Sequence, residues 1–302
     1  MPPFAAALAA ITLLAATVNG ALGYGFSSIT VPLALLFMTN RVLNPALVPI
    51  EVVLNAYVLW VNRAELPGVW RRVFPLIVGL VPGVVTGTLL VSRVSPDWLK
   101  LYTFVVLLPL ILLQAAGVRR PVQAERSAGL IFGSGIGVLY SVTTISGPPL
   151  AIALNNQGFA KKEFRAALGV VRLAESSLTA IAYIYAGLFL RPSFALLPWI
   201  VPSVALGVPF GAFLIRQMPS ETFRRICMSF DAWVVGFGLS KVIRDLKLID
   251  GNAAYLVLAA VIVVDAVLLY RFFSVHRVVE PAESAGFSAP EVAEQTSTVP
   301  YP

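Results

Sequence analysis

The sequence contains very little cysteine, histidine and charge. The single cysteine, Cys227, excludes an intramolecular disulfide and any metal cluster built on cysteine ligands. The single histidine, His276, follows the last apolar run, and the chain has no HExxH or GxSxG motif. We therefore expect no catalytic residues, no metal site and no cofactor, and a membrane-embedded enzyme is disfavoured.

Charged residues make up only 12% of the 302 residues, whereas soluble domains carry about 25%. Hydrophobic residues make up 58%, and the mean hydropathy is +0.84. No soluble core could bury so much apolar surface, which predicts a protein embedded in the lipid bilayer. The net charge of +7 comes from short basic clusters between apolar runs, as in membrane-protein loops, so we expect no nucleic-acid partner.

Nine apolar runs follow one another, and most are close to the ~20 residues that one membrane-spanning helix needs. The runs cover about residues 4–38, 44–62, 73–92, 97–118, 127–156, 166–189, 194–215, 222–241 and 253–273. Runs 4–38 and 127–156 are too long for one straight crossing, and glycine and proline interrupt both. We therefore predict an all-α polytopic membrane protein in which each of these two runs is a broken, re-entrant helix hairpin. The first run has no preceding Lys or Arg and no clear cleavage site, so we expect a mature segment rather than a signal peptide.

The two broken runs also correspond to each other, which indicates an internal repeat. GALGYGFSSITVPLALLF at 20–37 aligns with GVLYSVTTISGPPLAIAL at 137–154. We predict a first transmembrane repeat at 1–120, a second at 121–245, an additional C-terminal transmembrane helix at 246–276 and a disordered cytoplasmic tail at 277–302. Glycines with the spacing of helix-packing faces lie at Gly79, Gly83 and Gly87 and at Gly207 and Gly211.

The distribution of lysine and arginine bears on the topology. If every run crosses once, the two faces carry 11 and 10 basic residues, but if the two long runs are hairpins they carry 14 and 7. The positive-inside rule favours the hairpins, with the N-terminus outside and the C-terminus cytoplasmic. Each repeat is then a hairpin plus three transmembrane helices. Because this is an odd number of crossings, the second repeat is inverted relative to the first, as in many secondary transporters.

The interruptions place polar groups where lipid would favour hydrocarbon. Unpaired backbone N–H and C=O groups in lipid cost several kcal/mol each, so a broken helix is buried in protein or lines a wet cavity. Two facing breaks, with helix N-termini and hydroxyl donors, would bind a small anion, although any single glycine or proline could instead only pack or kink a helix. The candidate substrate-binding residues are Gly23, Gly25, Ser27, Ser28, Thr30, Pro32, Thr143, Thr144, Ser146, Gly147, Pro148 and Pro149. We expect the prolines to start the returning half-helices.

Charged and amide side chains within the runs are few, and each is costly enough to suggest a function. Asn55 and Glu175 fall at corresponding positions of the two repeats and join the candidate site, together with Arg172. Arg172 is either a counter-ion for the substrate or the intrahelical partner of Glu175, and the two roles are compatible. Glu51 or Glu175 is a candidate carrier of a coupling proton, although the place of Glu51 near the start of its run favours headgroup level. Asp265 lies in the run without a repeat partner, which favours a role in helix packing or at the lipid interface.

The two broken motifs resemble the paired signatures of the sulfite exporter TauE/SafE family of bacterial membrane transporters. GSGIGVLYSVTTISGPPLAIALNNQGFAKKEFRAALG carries the resemblance most strongly, and the likeness extends over about residues 4–245. It implies a secondary carrier in the plasma membrane that moves sulfur oxyanions or organosulfonates such as sulfite or sulfoacetate. Tyr24 and Phe26 stand where many members have consecutive glycines, and they could narrow the cavity or contact an organic part of the substrate.

An anion channel and a carrier of small carboxylates are the alternative functions. A channel needs a continuous pore, commonly built by oligomeric symmetry, whereas an internal two-fold repeat suits alternating access. A purely structural role would give paired broken helices no purpose. The sequence leaves open whether the coupling ion is a proton or sodium, whether transport is uptake or export, and whether the protein forms oligomers.

The hairpin topology makes a prediction for the first apolar run. In a chain carrying Cys227→Ser, single cysteines replacing Pro3 and Thr39 should both react with an impermeant maleimide added outside, because the hairpin returns to the face it entered. A cysteine replacing Arg120 is the control, and it should react only after the cells are opened. Labelling of positions 3 and 39 from opposite faces would rule out the re-entrant topology.

Overall fold

The structure is a computed structural model of the chain, and it describes residues 4–22, 25–116, 126–155, 159, 161–214, 220–249 and 251–284. All regular secondary structure within these ranges is helical, as predicted. The α-helices are α1 Ala5–Leu22, α2 Phe26–Ala34, α3 Asn40–Val61, α4 Leu66–Arg93, α5 Pro96–Ala115, α6 Arg126–Thr143, α7 Gly147–Asn155, α8 Lys161–Tyr185, α9 Arg191–Phe194, α10 Leu197–Leu214, α11 Ser220–Asp245 and α12 Leu256–Ser284. Short 3₁₀ turns at Arg63–Glu65 and Gly251–Tyr255 precede α4 and α12.

Seven segments of the described chain are long and apolar enough to cross a membrane, so the chain is a multi-pass membrane protein. They are Asn40–Val61, Arg63–Arg93, Pro96–Leu113, Lys162–Tyr185, Arg191–Leu214, Arg225–Asp245 and Gly251–Ser274. The two overlong apolar runs are each divided into a helix of 18 residues followed by one of 9 residues: α1 with α2, and α6 with α7.

The two breaks have unusual backbone conformations. Gly25 precedes α2 with a φ of 108°, in the left-handed region that favours glycine. Thr144 lies in the second break with a φ of 56°, which is rare for a β-branched residue. Pro149 lies in the first turn of α7, where its missing N–H has no helical partner to lose. Pro32 contradicts the prediction, because it is the seventh residue of α2, and the left-handed backbone at Gly25 precedes this helix instead.

The longer helix of each broken pair packs closely on a distant span. α6 packs on α4, and a Cβ added at Gly83 would lie 2.1 Å from the carbonyl oxygen of Ser134. α1 packs on α10 in the same way, and a Cβ at Gly211 would lie 1.8 Å from the carbonyl oxygen of Thr17. The predicted glycine packing faces are therefore confirmed, since only glycine allows the helix backbones to approach this closely.

α3 packs against α8, and buried polar side chains are concentrated on this pair. The buried polar residues of α3 and α8 include Asn40, Asn44, Glu51, Asn55, Arg172, Glu175, Ser176 and Thr179. Elsewhere α5 packs against α11, α2 against α11, and α7 against both α5 and α8. The short helices α2 and α7 are thus held between longer helices rather than exposed to lipid.

α12 packs on α11 through a second buried polar cluster. Asp265 accepts hydrogen bonds from Arg225 at 3.0 Å, Ser229 at 3.1 Å and the indole of Trp233 at 3.1 Å. Its side chain is inaccessible to solvent. Asp265 thus joins two helices, which agrees with the first of the two roles, helix packing, that the sequence left open.

The C-terminal helix is longer than predicted. α12 ends at Ser284, so residues 277–284, which we expected to be disordered, are helical. Residues 277–280 are Arg, Val, Val and Glu, and none of them breaks the preceding helix. Residues 285–302 lie outside the described residues.

Two glycines of α6 provide a matched test of the close packing on α4. A Cβ at Gly133 would lie 2.2 Å from the carbonyl oxygen of Leu76, whereas a Cβ at Gly135 would meet nothing within 4 Å. Gly133→Ala should destabilise the purified protein by about 1–3 kcal/mol through overpacking. Gly135→Ala should be neutral or slightly stabilising, because alanine favours a helix. Thermal unfolding in detergent measures both, and equal effects would contradict the packing described.

The Asp265 cluster predicts a loss of stability without a loss of the substrate site. Asp265→Ala removes the carboxylate that three donors share and should destabilise the protein by about 3–5 kcal/mol. Asp245→Ala is the control, because this carboxylate is 56% exposed and lies 3.9 Å from Arg244. It should change stability by less than about 0.5 kcal/mol in the same thermal unfolding measurement. An Asp265→Ala protein as stable as the control would show that the cluster does not hold α12.

Candidate functional site

Glu51 lies in a buried polar cluster at the middle of α3, where it is the twelfth of 22 residues and 1% exposed. Its Oε1 accepts a hydrogen bond from Ser27 and lies 3.4 Å from Nη2 of Arg172. Its Oε2 accepts a hydrogen bond of 2.8 Å from the hydroxyl of Tyr140. The prediction of a headgroup-level residue is therefore wrong. The error arises from the predicted start of the helix. α3 begins at Asn40, four residues earlier than predicted, so Glu51 lies one turn deeper in the span.

Glu175 approaches the same cluster from α8. Its Oε1 accepts a hydrogen bond from Ser146, the residue before α7, and lies 3.9 Å from Nε of Arg172. Its Oε2 is buried and has no hydrogen-bond partner among the residues that the structure describes. Arg172 thus lies between two carboxylates. The intrahelical ion pair with Glu175 is present, but the contact with Glu51 on α3 is shorter.

Both helix breaks end at this cluster. Ser27 lies in the first turn of α2, Ser146 immediately precedes α7, and each serine donates a hydrogen bond to a glutamate of the following long helix. Each carboxylate is therefore held at the N-terminus of a half-helix, where the helix dipole stabilises negative charge. The two breaks, which are separated by more than 100 residues in sequence, thereby converge on one guanidinium, that of Arg172.

Asn55 joins α3 to α8 next to the cluster. Its Nδ2 donates to the carbonyl oxygen of Arg172 at 3.3 Å and lies 3.5 Å from Oγ of Ser176. Asn55 is only 3% exposed. It therefore positions the backbone that carries Arg172.

The threonines of the second break use their hydroxyls locally. Thr143 Oγ1 donates to the carbonyl oxygen of Leu139 at 2.7 Å and accepts a hydrogen bond of 3.0 Å from the backbone N–H of Ile145. Thr144 Oγ1 donates to the carbonyl oxygen of Thr143 at 2.7 Å. These hydroxyls stabilise the interrupted backbone, as short polar side chains do in turns, and they do not reach the cluster.

Other candidate residues surround the site without contacting the carboxylates. Ser28 and Thr30 are buried in α2, and Oγ1 of Thr30 has no hydrogen-bond partner within the described ranges. Gly147 is buried at the start of α7. Gly23 and the side chain of Pro148 lie outside the described part of the chain.

The sequence analysis did not single out Tyr140, Asn40 or Asn44. Asn44 and Asn40 donate to the carbonyl oxygen of Val142, at 2.7 and 3.3 Å, near the point where α6 stops. α3 thereby supplies partners for backbone groups that the break exposes. The sequence did contain a signal for the two asparagines. The Asn and Glu residues of α3 recur at spacings of four, seven and four, which places them on one helical face.

A comparison with known protein families matches the part of the chain that contains the cluster. A family model described as sulfite exporter TauE/SafE matches residues 8–237, which include both breaks and every residue of the cluster. No curated protein and no solved structure matches the chain. Since the family model covers well over half of the sequence, the chain belongs to the sulfite exporter TauE/SafE family of membrane transporters.

Proposed function

We propose that the protein is a secondary carrier of small sulfur anions, either sulfur oxyanions such as sulfite or organosulfonates such as sulfoacetate. Membership of the sulfite exporter family supports this class of substrate. The observation that carries the proposal is the buried Arg172, which meets both helix breaks through Glu51 and Glu175. A planar guanidinium suits an oxyanion because its parallel N–H groups can bind two oxygens at once.

The anion binds by replacing a carboxylate beside Arg172. The contacts of 3.4 and 3.9 Å from Arg172 to the glutamates are longer than charge-assisted hydrogen bonds of about 2.7–2.9 Å. The guanidinium is therefore not committed to a tight bidentate pair. Ser27 and Ser146 bring a helix N-terminus from each side, and these termini favour a bound anion.

The inverted repeat is part of this proposal, and the packing partners support it. The contact of α1 with α10 corresponds to that of α6 with α4, and the contact of α2 with α11 corresponds to that of α7 with α5. The contacts of α3 with α8 and of α5 with α11 join corresponding helices of the two repeats. This is the pattern expected when one two-fold operation exchanges the repeats.

Alternating access then requires two bodies that combine helices of both repeats, because α1 and α6 are locked onto the other repeat. One buried apolar cluster joins α1, α2, α5, α10 and α11, together with parts of α3 and α12, and another joins α4, α6, α7 and α8. A third, smaller cluster connects α4, α6 and α8 to α3 and α5. Rocking of these bodies about the α3–α8 contact would expose Arg172 to one side of the membrane at a time.

The proposed location is the bacterial plasma membrane, with the N-terminus outside and the C-terminus in the cytoplasm. The support is the distribution of basic residues, with 14 on the proposed cytoplasmic face and 7 on the other when the broken runs are hairpins. The short connection between α4 and α5 would then lie outside, and that between α3 and α4 inside.

Replacement of Arg172 tests the carrier function. Arg172→Gln should lower anion flux at least ~30-fold, since losing one member of a buried charge pair costs about 2 kcal/mol or more. Flux is measured in proteoliposomes with labelled sulfite, sulfoacetate, sulfate and a small carboxylate. The same panel distinguishes a sulfur-anion carrier from a carboxylate carrier, and saturation and counterflow distinguish a carrier from a channel.

The matched control is Arg71→Gln, because Arg71 is exposed on α4. Its flux should equal that of the unmodified protein at the same reconstituted amount. Full anion flux through the Arg172→Gln protein would remove the basis of the proposal, as would flux that never saturates and shows no counterflow.

A further inference from the structure

The buried cluster contains more acidic than basic groups. Glu51 and Glu175 face one guanidinium, Arg172, and among the residues that the structure describes the other titratable side chain that faces them is Tyr140 on α6. With both carboxylates ionised, the cluster carries one uncompensated negative charge inside a transmembrane protein. An unpaired charge at this depth is strongly unfavourable, and one bound proton would remove it.

The two carboxylates are not equivalent as places for that proton. Both oxygens of Glu51 have donors, namely Ser27 and Arg172 at Oε1 and Tyr140 at Oε2. This environment suits the ionised form, because an ionised carboxylate only accepts hydrogen bonds. Glu175 has Ser146 at Oε1, but its buried Oε2 lacks any partner in the described residues.

We propose that Glu175 binds, at Oε2, the proton that is coupled to anion transport, and that Glu51 stays ionised as the permanent counter-ion of Arg172. The proposal rests on the proposed carrier function, to which it adds the coupling ion and the residue that binds it.

The charge of the cluster explains the coupling. When Glu175 is ionised, an arriving anion adds a second uncompensated negative charge beside the first. When a proton from the adjacent aqueous side binds Glu175, a monovalent anion such as hydrogen sulfite can pair with Arg172, and the loaded cluster then carries the same net charge as the empty, deprotonated one. Proton and anion therefore enter together and leave together, the proton being released from Oε2 on the other side. The result is symport, whose direction is set by the two gradients.

Two isosteric variants in the same cluster test this assignment. In proteoliposomes containing a pH-sensitive dye, sulfite uptake through the unmodified protein should acidify the lumen, and an inward proton gradient should stimulate it. Glu175→Gln should abolish both the acidification and the stimulation, leaving a reduced anion exchange that no longer depends on pH. Glu175→Asp keeps a carboxyl group and should keep proton movement.

Glu51→Gln is the contrasting variant, because it removes the counter-ion rather than the proton site. It should lower anion exchange at least tenfold. Asp245→Asn, at an exposed carboxylate, should behave as the unmodified protein does. Gradient stimulation that survives in Glu175→Gln would overturn the assignment, as would uptake driven by sodium instead of a proton gradient.

A second readout does not depend on transport. Infrared difference spectra of the purified protein at neutral pH should contain the C=O band of a protonated carboxylic acid that is missing in Glu175→Gln and retained, at a shifted frequency, in Glu175→Asp. If sulfite flux is absent but this band is present, the carrier function fails and the proton site stands. If sulfite flux is present but Glu175→Gln leaves the band unchanged, the carrier function stands and the proton site is wrong.

Discussion

The burial of one guanidinium, that of Arg172, is the constraint on which the rest of the site depends. A cation within a membrane-spanning helix needs anionic partners, and Arg172 has Glu51 on α3 and Glu175 on α8. These carboxylates need donors in turn, and Ser27 and Ser146 supply them from the two helix breaks. The breaks, α3 and α8 therefore form one electrostatic unit, in which moving any member exposes a charge or an unpaired acceptor.

Close glycine packing connects this unit to the outer helices. α6 on α4 and α1 on α10 are in backbone contact, so the longer helix of each broken pair is held against a span that is distant in sequence. Under the proposed alternating access, the moving bodies would then be defined by packing and not by the order of the sequence. The short helices α2 and α7 connect these bodies to the carboxylates, so a motion of the bodies would alter the contacts of Arg172.

The helical class and the broken helices were predictable because they depend on local quantities: the length of an apolar run compared with the bilayer, and the presence of Gly25 or Pro149 within it. The depth of Glu51 was not predictable, since it depends on where α3 starts. An error of four residues in the predicted start of α3 shifted the expected position of Glu51 by one helical turn. The contact of Tyr140 with Glu51 joins residues 89 apart in sequence, and no periodic pattern encodes it. Pro32 was misplaced because glycine geometry at the break, rather than proline, starts α2.

The two buried arginine clusters indicate what separates a structural contact from a site that can change state. At Asp265 both carboxylate oxygens are occupied, Oδ1 by Arg225 and Ser229 and Oδ2 by Trp233, so the cluster has one favourable charge state and joins two helices. At Arg172 a second carboxylate adds a charge that the guanidinium cannot neutralise, and Oε2 of Glu175 has no partner among the described residues. A carboxylate with donors at both oxygens gains little by binding a proton, whereas under our proposal the Arg172 cluster is neutralised by a proton and, once neutral, accepts an anion. Incomplete pairing, which would be a defect in a purely structural contact, is therefore the property on which the proposed transport role of the Arg172 cluster rests.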